Sequence, residues 1–298
     1  MPEDVDFSII VPTRDRPRQL AVCLESLASL DYPQSHYEVI VVDDGSRISP
    51  ESITSAFRNR IDLILLTQPK AGPAAARNNG ATRARGQLLA FTDDDCTPAH
   101  EWLQKLAERF KGTGGSLIGG QTINALIGNV YSAASQSIIR YLYEYYGADR
   151  GDAHFFASNN MAVPTGPFCY LGGFDEGYPK AAAEDRDFCA RWRHAGYGMA
   201  YAREAIVYHR HLLGFVTFWR QHIGYGRGAY QYYRKRSVQS GDHFRFEPIR
   251  FYTGLLTYPF LKGKSRWPTL EAVLMALSQI GNLSGFFCEW ARPSRVRK

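Results

Sequence analysis

The stretch Phe91-Thr92-Asp93-Asp94-Asp95-Cys96-Thr97-Pro98 sets three carboxylates at three successive positions. It follows Gln87-Leu88-Leu89-Ala90, an apolar run that reads as a buried strand, and Pro98 opens a segment of helical character from Ala99 to Phe110. The acids therefore stand at the end of a strand. Adjacent carboxylates without partners repel, and a cation relieves that repulsion. A hard divalent ion such as Mg²⁺ or Mn²⁺, held by one or two carboxylates plus the phosphates of a substrate, suits the arrangement. A solvated acidic turn is the competing reading. The strand-end position favours the ion, because ligands of α/β sheets gather at the carboxyl ends of strands.

Upstream, the pattern repeats. Phe7-Ser8-Ile9-Ile10-Val11-Pro12-Thr13 is a β-rich run, and Leu20, Leu24 and Leu27 then recur at helical spacing, with Asp15 as cap and Pro17 in the first turn. Glu38-Val39-Ile40-Val41-Val42-Asp43-Asp44 is a second strand, followed by a helical segment from Ser49 to Arg58. Asp62 to Leu66 is a third, and Pro73 starts an Ala-rich helix through Arg85. Regular alternation of strand and helix predicts an α/β fold with a doubly wound, mostly parallel sheet. Short crossovers speak against a closed barrel.

This half lacks the glycine-rich loops Gly-x-Gly-x-x-Gly and Gly-x-x-x-x-Gly-Lys-Ser/Thr that cradle phosphates elsewhere. Two strands end in acids instead, Asp43-Asp44 and Asp93-Asp94-Asp95. Carboxylates so placed can accept hydrogen bonds from a base or ribose while others hold a metal on a diphosphate. Asp43-Asp44-Gly45-Ser46 is also a good turn, and Arg77 taken alone is a solvated helix residue.

Ile10-Val11-Pro12-Thr13-Arg14, Val41-Val42-Asp43-Asp44-Gly45-Ser46, Gly72-Pro73-Ala74-Ala75-Ala76-Arg77-Asn78-Asn79-Gly80 and the Asp93–Asp95 stretch, taken in order, resemble the successive motifs of family 2 glycosyltransferases. The likeness covers roughly the first 210 residues. It implies the glycosyltransferase A fold and an inverting reaction that moves a sugar from a nucleotide-diphosphate donor, with UDP the nucleotide, to an acceptor hydroxyl. It also implies that Pro12, Thr13 and Arg14 line the nucleotide pocket, that Asp43 and Asp44 contact uracil or ribose, and that Arg77 helps hold the nucleotide. Asp93 and Asp94 would complete the donor site, with Asp95 ligating the metal.

Further along, Tyr131 to Tyr146 has helical spacing, with a stripe of Tyr131, Ser135, Ile138, Ile139, Leu142 and Tyr145. Core packing or acceptor contact by Tyr143, Tyr145 or Tyr146 are its two readings. His154 to Val163 reads as a strand containing Asn159 and Asn160, which are either acceptor-site residues or amides satisfying backbone groups. Ala183-Glu184-Asp185-Arg186-Asp187-Phe188 opens a helix with a core face of Phe188, Ala190 and Trp192. Acids in a first turn complement the helix dipole. The resemblance gives Asp185 a sharper role, that of the base which takes the proton from the acceptor hydroxyl. After a strand pair (199–202 and 205–208) comes Tyr208-His209-Arg210-His211, where the family resemblance makes His209 a metal ligand, with His211 the alternative. Gln221 to Arg227 departs from the Gln-x-x-Arg-Trp element of processive relatives, and Arg227 is placed against a diphosphate or an acceptor phosphate.

The formal charge of +6 hides a division. Residues 201–298 hold 16 Lys/Arg and 5 Asp/Glu, a net of +11, while residues 1–200 carry a net of −5. The expected division is a catalytic domain over 1–211 and a basic, aromatic-rich helical region over 212–298. Its segments Phe251 to Leu261 and Leu270 to Trp290 are apolar but interrupted, which suits a helix lying in a membrane interface, an appendage on the catalytic domain, or a homodimer contact. The expected acceptor is a glycan or lipid-linked molecule. Single-stranded nucleic acid is a candidate partner by charge and aromatic content, but it would leave the acid-tipped sheet without a purpose. Five unpaired cysteines and a start without a secretory pattern point to a cytoplasmic protein, with the inner face of the membrane its place of contact.

Overall fold

The computed structural model describes residues 5–151, 153–178, 182–240, 246–262 and 265–292. Strand β1 (Phe7–Thr13) is buried at every position, as a strand covered on both faces must be. Helix α1 (Pro17–Leu27) starts on a proline, which lacks only an N–H the first turn leaves unbonded, and buries Leu20, Cys23, Leu24 and Leu27. Asp15 does not cap it. Held at φ 53°, its N–H donates to Ser46 Oγ and its carboxylate accepts from the Arg47 N–H, so it ties two loops together.

Strand β2 (Tyr37–Asp43) is fully buried like β1. The helix expected over 49–58 shrinks to α2 (Glu51–Thr54), which tightens into a 3₁₀ turn, Ser55–Phe57. Strand β3 (Leu63–Thr67), helix α3 (Pro73–Ala81) and strand β4 (Leu88–Thr92) follow. Pro98 does not open a helix. Cys96–Pro98 forms a short strand, β5, and helix α4 (Trp102–Lys111) starts only after another turn. The reason is pairing: Cys96, Thr97 and Pro98 lie opposite His209, Tyr208 and Val207.

Strand β6 (Leu117–Asn124) and helix α5 (Val130–Tyr145) lead to strand β7 (Asn160–Pro164), shorter than the 154–163 run expected. Helices α6 (Thr165–Tyr170) and α7 (Glu184–His194) precede β8 (Met199–His209). The strand pair expected here is one strand, whose register against β6 shifts between Gly120 and Gln121. Long helices α8 (Phe215–Ser240), α9 (Ile249–Leu261) and α10 (Pro268–Trp290) complete the chain.

The eight strands form one sheet in the order β3-β2-β1-β4-β7-β6-β8-β5. Pairs β1–β2, β2–β3, β1–β4 and β6–β8 are parallel, whereas β4–β7, β6–β7 and β5–β8 are antiparallel. The α/β reading holds: β3-β2-β1-β4 is parallel throughout, and the rest of the sheet is mixed. Strand β1 feeds outward to β2, but β4 returns to its other side. That reversal opens a crevice between the carboxyl ends of β1 and β4, the usual ligand position of such sheets.

Asn160 settles as a rivet of the sheet. Its Oδ1 accepts from the Trp102 indole at 2.9 Å, and its Nδ2 donates to the carbonyls of Gln121 and Ala205, each at 3.0 Å. Those carbonyls flank the register shift, where the ladder cannot satisfy them. Asn160→Ala leaves three buried groups unpaired and is expected to lower stability by about 3 kcal/mol in denaturant titration, with ligand affinity kept at temperatures where it stays folded. A loss of less than about 1 kcal/mol would return Asn160 to the list of site candidates.

The chain resolves into two compact units. The first holds the sheet, from residues up to Ala125, Tyr146–Glu176 and Asp185–His211. The second takes Leu126–Tyr145, Gly177–Glu184 and everything from Leu212 on. A single division at 211 therefore misses α5. Its Tyr141 is buried among Phe251, Leu255, Tyr258 and Met275, and its hydroxyl donates to the Phe251 carbonyl at 2.7 Å. The stripe expected on α5 is rotated: Ser132, Ala134, Ile138, Tyr141 and Tyr143 are the buried residues. On α7, Phe188 and Trp192 are buried as expected, joined by Cys189 rather than Ala190.

Candidate active site

Register builds the site. Thr13 lies beside Asp43 on the next strand, and Asp43 beside Thr67, so the ends of β1, β2 and β3 stand level. Pro12 is buried opposite Val42 and fixes the backbone that enters the crevice. Asp43 Oδ1 accepts from the Ser46 N–H at 2.9 Å, the turn chemistry of an acid followed by Gly-Ser. Asp44 is more heavily used. Its carboxylate accepts from Gln68 Nε2 and from the N–H groups of Ala71 and Gly72, at 2.7–2.9 Å. It thereby shapes the loop that launches α3, and about one of its four lone-pair positions remains open to a ligand. Arg14 is half-buried, its Nε at a long 3.4 Å from the Gly45 carbonyl.

The three acids after β4 fall into three different environments. Asp93 pairs with Arg77 at 2.6 Å. Arg77 is buried on α3, its guanidinium packed over the Phe174 ring, so it is no solvated helix residue. Asp94 is buried and accepts from the Thr13 hydroxyl at 2.8 Å and from Arg16 Nη1 at 3.0 Å. Burial pushes its carboxyl up to about 6, against the opposing pull of Arg16 and Thr13. Asp95 takes the same Arg16 nitrogen at 3.0 Å and His209 Nε2 at 3.2 Å. Burial would raise its carboxyl, but the His209 contact and Arg16 prevail and hold it at about 2.

His209 reaches Asp95 because β8 pairs with β5, which sets His209 opposite Cys96, while the Arg210 N–H donates to the Asp95 carbonyl at 2.8 Å. His211 stacks on His209 with ring centroids 5.0 Å apart; burial holds it down to about 4, so it is neutral near pH 7. Ligand atoms of Asp95, Cys96 and His209 lie within 4.8 Å of one another. Burial holds the Cys96 thiol well above its ordinary range, and carboxylate and imidazole are the harder donors of the set. Oxygen and imidazole donors fit Mn²⁺ or Mg²⁺ completed by phosphate oxygens better than a thiophilic metal.

Asp185 enters from the first turn of α7, where its Oδ1 accepts its neighbour Arg186's N–H at 2.7 Å. Burial raises its carboxyl above the ordinary range, and the charges of Arg186 and Arg77 oppose that rise. Arg77 thus acts on both Asp93 and Asp185, linking the tip of β4 to the start of α7. The loop ahead of α7 is pinned from two sides. Asn78 donates to the carbonyl of Phe174 and accepts its N–H, and Arg191 donates to the carbonyls of Leu171 and Gly173. Asn159 stands farther off, its Oδ1 3.4 Å from the Thr122 hydroxyl. Arg227 belongs to α8 of the second unit, and its Nε is buried without a hydrogen-bond partner.

Arg16, which bridges Asp94 and Asp95, is the site residue that sequence reading misses. It lies three residues past the strand end, and only its position in Thr13-Arg14-Asp15-Arg16 hints at it.

The raised Asp94 carboxyl makes a pH prediction. Its folded value of about 6 exceeds the ordinary 3.8, so the folded chain binds the extra proton between these limits. Its contribution is fully present below about 4 and is lost as pH rises through about 6. Denaturation in chelator across this window should show wild type losing on the order of 2 kcal/mol relative to Asp94→Asn. Parallel profiles for the two proteins would refute the raised value.

Acids and arginines thus gather at the switch point of the α/β sheet, and Asp185, half-buried in the first turn of α7, stands near enough for the Arg77 charge to act on it. The model of glycosyl transferase family 2 matches residues 8–168, more than half of the chain, and the chain belongs to that family. Among curated relatives, the glycosyltransferase AglE of Haloferax volcanii is 30% identical over 211 residues, covering 68% of this chain and 66% of AglE. The pre-mycofactocin glycosyltransferase of Mycobacterium tuberculosis is 29% identical over 215 residues, 70% of this chain and 44% of that protein. The chain thus spans less than two thirds of the length of these relatives. Among solved structures, the mannosyltransferase PcManGT from Pyrobaculum calidifontis, in complex with GDP-Man and Mn²⁺, superposes with a TM-score of 0.67 at 17% identity, covering 93% of this chain and 86% of that one. Staphylococcus aureus TarS 1-349 with UDP-GlcNAc gives 0.54 at 16% identity over 95% and 89%. These establish the glycosyltransferase A type of fold.

Proposed function

We propose that the protein is a metal-dependent inverting glycosyltransferase that moves a sugar from a nucleotide-diphosphate donor, UDP in our reading, to an acceptor hydroxyl. The observation that carries this is the grouping of Asp93, Asp94, Asp95, Arg77 and His209 at the β1/β4 crevice, with Asp185 joined to it through Arg77. Pro12, Thr13, Arg14, Asp43 and Asp44 form the nucleoside end. Asp95 and His209 would hold Mn²⁺ or Mg²⁺, and the ion would supply positive charge for a departing diphosphate. Asp185 accepts the acceptor's hydroxyl proton as the oxygen attacks the anomeric carbon; attack from the face opposite the diphosphate inverts that centre. Its raised carboxyl gives the conjugate base the strength for this task.

We take the acceptor to be a glycan or a lipid-linked molecule, met on the cytoplasmic side of the membrane. PcManGT was solved with Mn²⁺, which supports the metal. A thermal-shift panel of nucleotide sugars with Mn²⁺ tests the reading, followed by release of the nucleoside diphosphate. Stabilisation by one UDP-sugar together with its slow hydrolysis is expected. Binding without any hydrolysis or transfer would instead indicate a non-catalytic sugar-nucleotide-binding subunit.

A further inference from the structure

Helix α10 is apolar on its outer face. The residues it turns into the second unit are Glu271, Leu274, Met275, Ser278, Gly281 and Gly285. Those it turns outward are Leu270, Val273, Ile280, Leu283, Phe287 and Trp290, each 41–65% exposed. From Ala272 to Cys288 there is no charged residue on any side. A helix that meets water on its outer face carries charge there and apolar groups within. Here the outer face is apolar and uncharged, while Glu271 and Ser278 are buried within beside Leu274 and Met275.

The inner face shows how its buried polar groups are accommodated. Glu271 accepts from Ser137 at 3.1 Å and from Ser265. Ser278 donates to the Met275 carbonyl at 2.6 Å. His222 of α8, also buried, packs beside Gly281, and burial holds it down to about 4, hence neutral. Backbones of α8 and α10 meet at glycines. A Cβ on Gly285 would stand 2.0 Å from the Ile223 carbonyl oxygen, and one on Gly226 would stand 1.9 Å from that of Asn282. Small residues at a close crossing, polar groups inside and large apolar groups outside are the packing habit of helices in lipid.

Two more observations select a bilayer over a second protein chain. Trp267 and Trp290 mark the two ends of α10, the residue type that settles at the lipid–water boundary. Cations also cluster near the ends, with Arg266 before α10 and Arg292 after it, and Arg250 and Lys262 on or beside α9. That charge matches an anionic headgroup layer. Lys264, Arg295, Arg297 and Lys298 lie outside the described residues. Helix α9 adds Ile249, Phe260 and Leu261, all more than half exposed.

By length and composition α10 could cross a membrane. Its neighbour α8 could not, since it carries Arg220 exposed and Arg227, Arg234, Lys235 and Arg236 besides. A pair packed this closely stays on one side of the bilayer. We infer that α10 lies in the plane of an anionic membrane, its outward stripe seated among the acyl chains together with the exposed apolar residues of α9. It stands independently of the transfer chemistry proposed above.

The test uses the full chain with vesicles of phosphatidylcholine alone and with added phosphatidylglycerol. Co-sedimentation with the anionic vesicles is expected, weakening with salt to a residue that salt does not remove. Bromine on the lipid acyl chains should quench tryptophan fluorescence of the wild-type protein, whereas bromine confined to the headgroup region should not quench it more. Combined Val273→Glu, Ile280→Glu and Phe287→Glu changes touch only outward positions and should lower partitioning about tenfold or more, with melting temperature and nucleotide-sugar binding retained. No vesicle binding by wild type, or no quenching from acyl bromine, overturns the inference whatever the variant does. So does a dimer in solution that the triple change converts to monomer while vesicles recover neither protein, since the stripe would then meet a second copy.

Discussion

Replacing Asp185 by Asn is expected to leave nucleotide-sugar affinity within about twofold and to lower the transfer rate by roughly two to four orders of magnitude. The amide keeps the volume and can still accept the Arg186 N–H that Asp185 Oδ1 receives at 2.7 Å. It cannot take a proton. Fold retention is favoured by the same burial that raises the Asp185 carboxyl, because a neutral group is easier to keep there than a charge. The pH profile of wild type should rise on its acidic limb as the Asp185 carboxyl ionises, at a pH above that of an ordinary aspartate, and the limb should vanish in the variant's residual rate. Isothermal titration with the donor, set beside steady-state transfer, separates the two effects. A collapse of donor affinity with the rate would make Asp185 a support for the site and leave the base unassigned.

What the sequence disclosed follows from what each residue's role depends on. Strands β1, β2 and β4 were readable because burial on both faces leaves an unbroken apolar run, and their acids were readable because they sit where such runs stop. Arg77 stood out only through its motif, since helical spacing alone says nothing about an ion pair with Asp93. Arg16 was hidden because its partners are 78 and 79 residues away and meet it only once β1 and β4 are neighbours. Pro98 misled for a similar reason: whether a proline opens a helix or ends a strand here depends on β8, more than a hundred residues on. Helix α5 was recognised, but its assignment to the second unit depends on Tyr141 meeting Phe251 and Tyr258, contacts that local periodicity does not encode. Asn160 could have been either an acceptor contact or a rivet until the position of Trp102 was known.

Asp95→Asn should abolish the dependence of UDP binding on Mn²⁺. In wild type, chelation is expected to weaken UDP binding by about a hundredfold, since the diphosphate then loses the cation that joins it to the protein. Asp95 is the strongest of the three acids for this role on electrostatic grounds. His209 and Arg16 hold its carboxyl at about 2, so it is ionised and ready at neutral pH, while Asp94 near 6 is the more easily protonated neighbour. The substitution leaves the backbone alone, including the Asp95 carbonyl that anchors Arg210, so β5 and β8 should remain paired. Free Mn²⁺ followed by electron paramagnetic resonance gives a reading that needs no turnover. Wild type with UDP should deplete the free-ion signal, Asp95→Asn should not, and His209→Ala should fall between them, because it removes a nitrogen ligand and keeps the carboxylate. If Asp95→Asn binds Mn²⁺ and UDP as tightly as wild type, the ion is held elsewhere, and the cluster at the end of β4 serves only to pair Arg16 and Arg77.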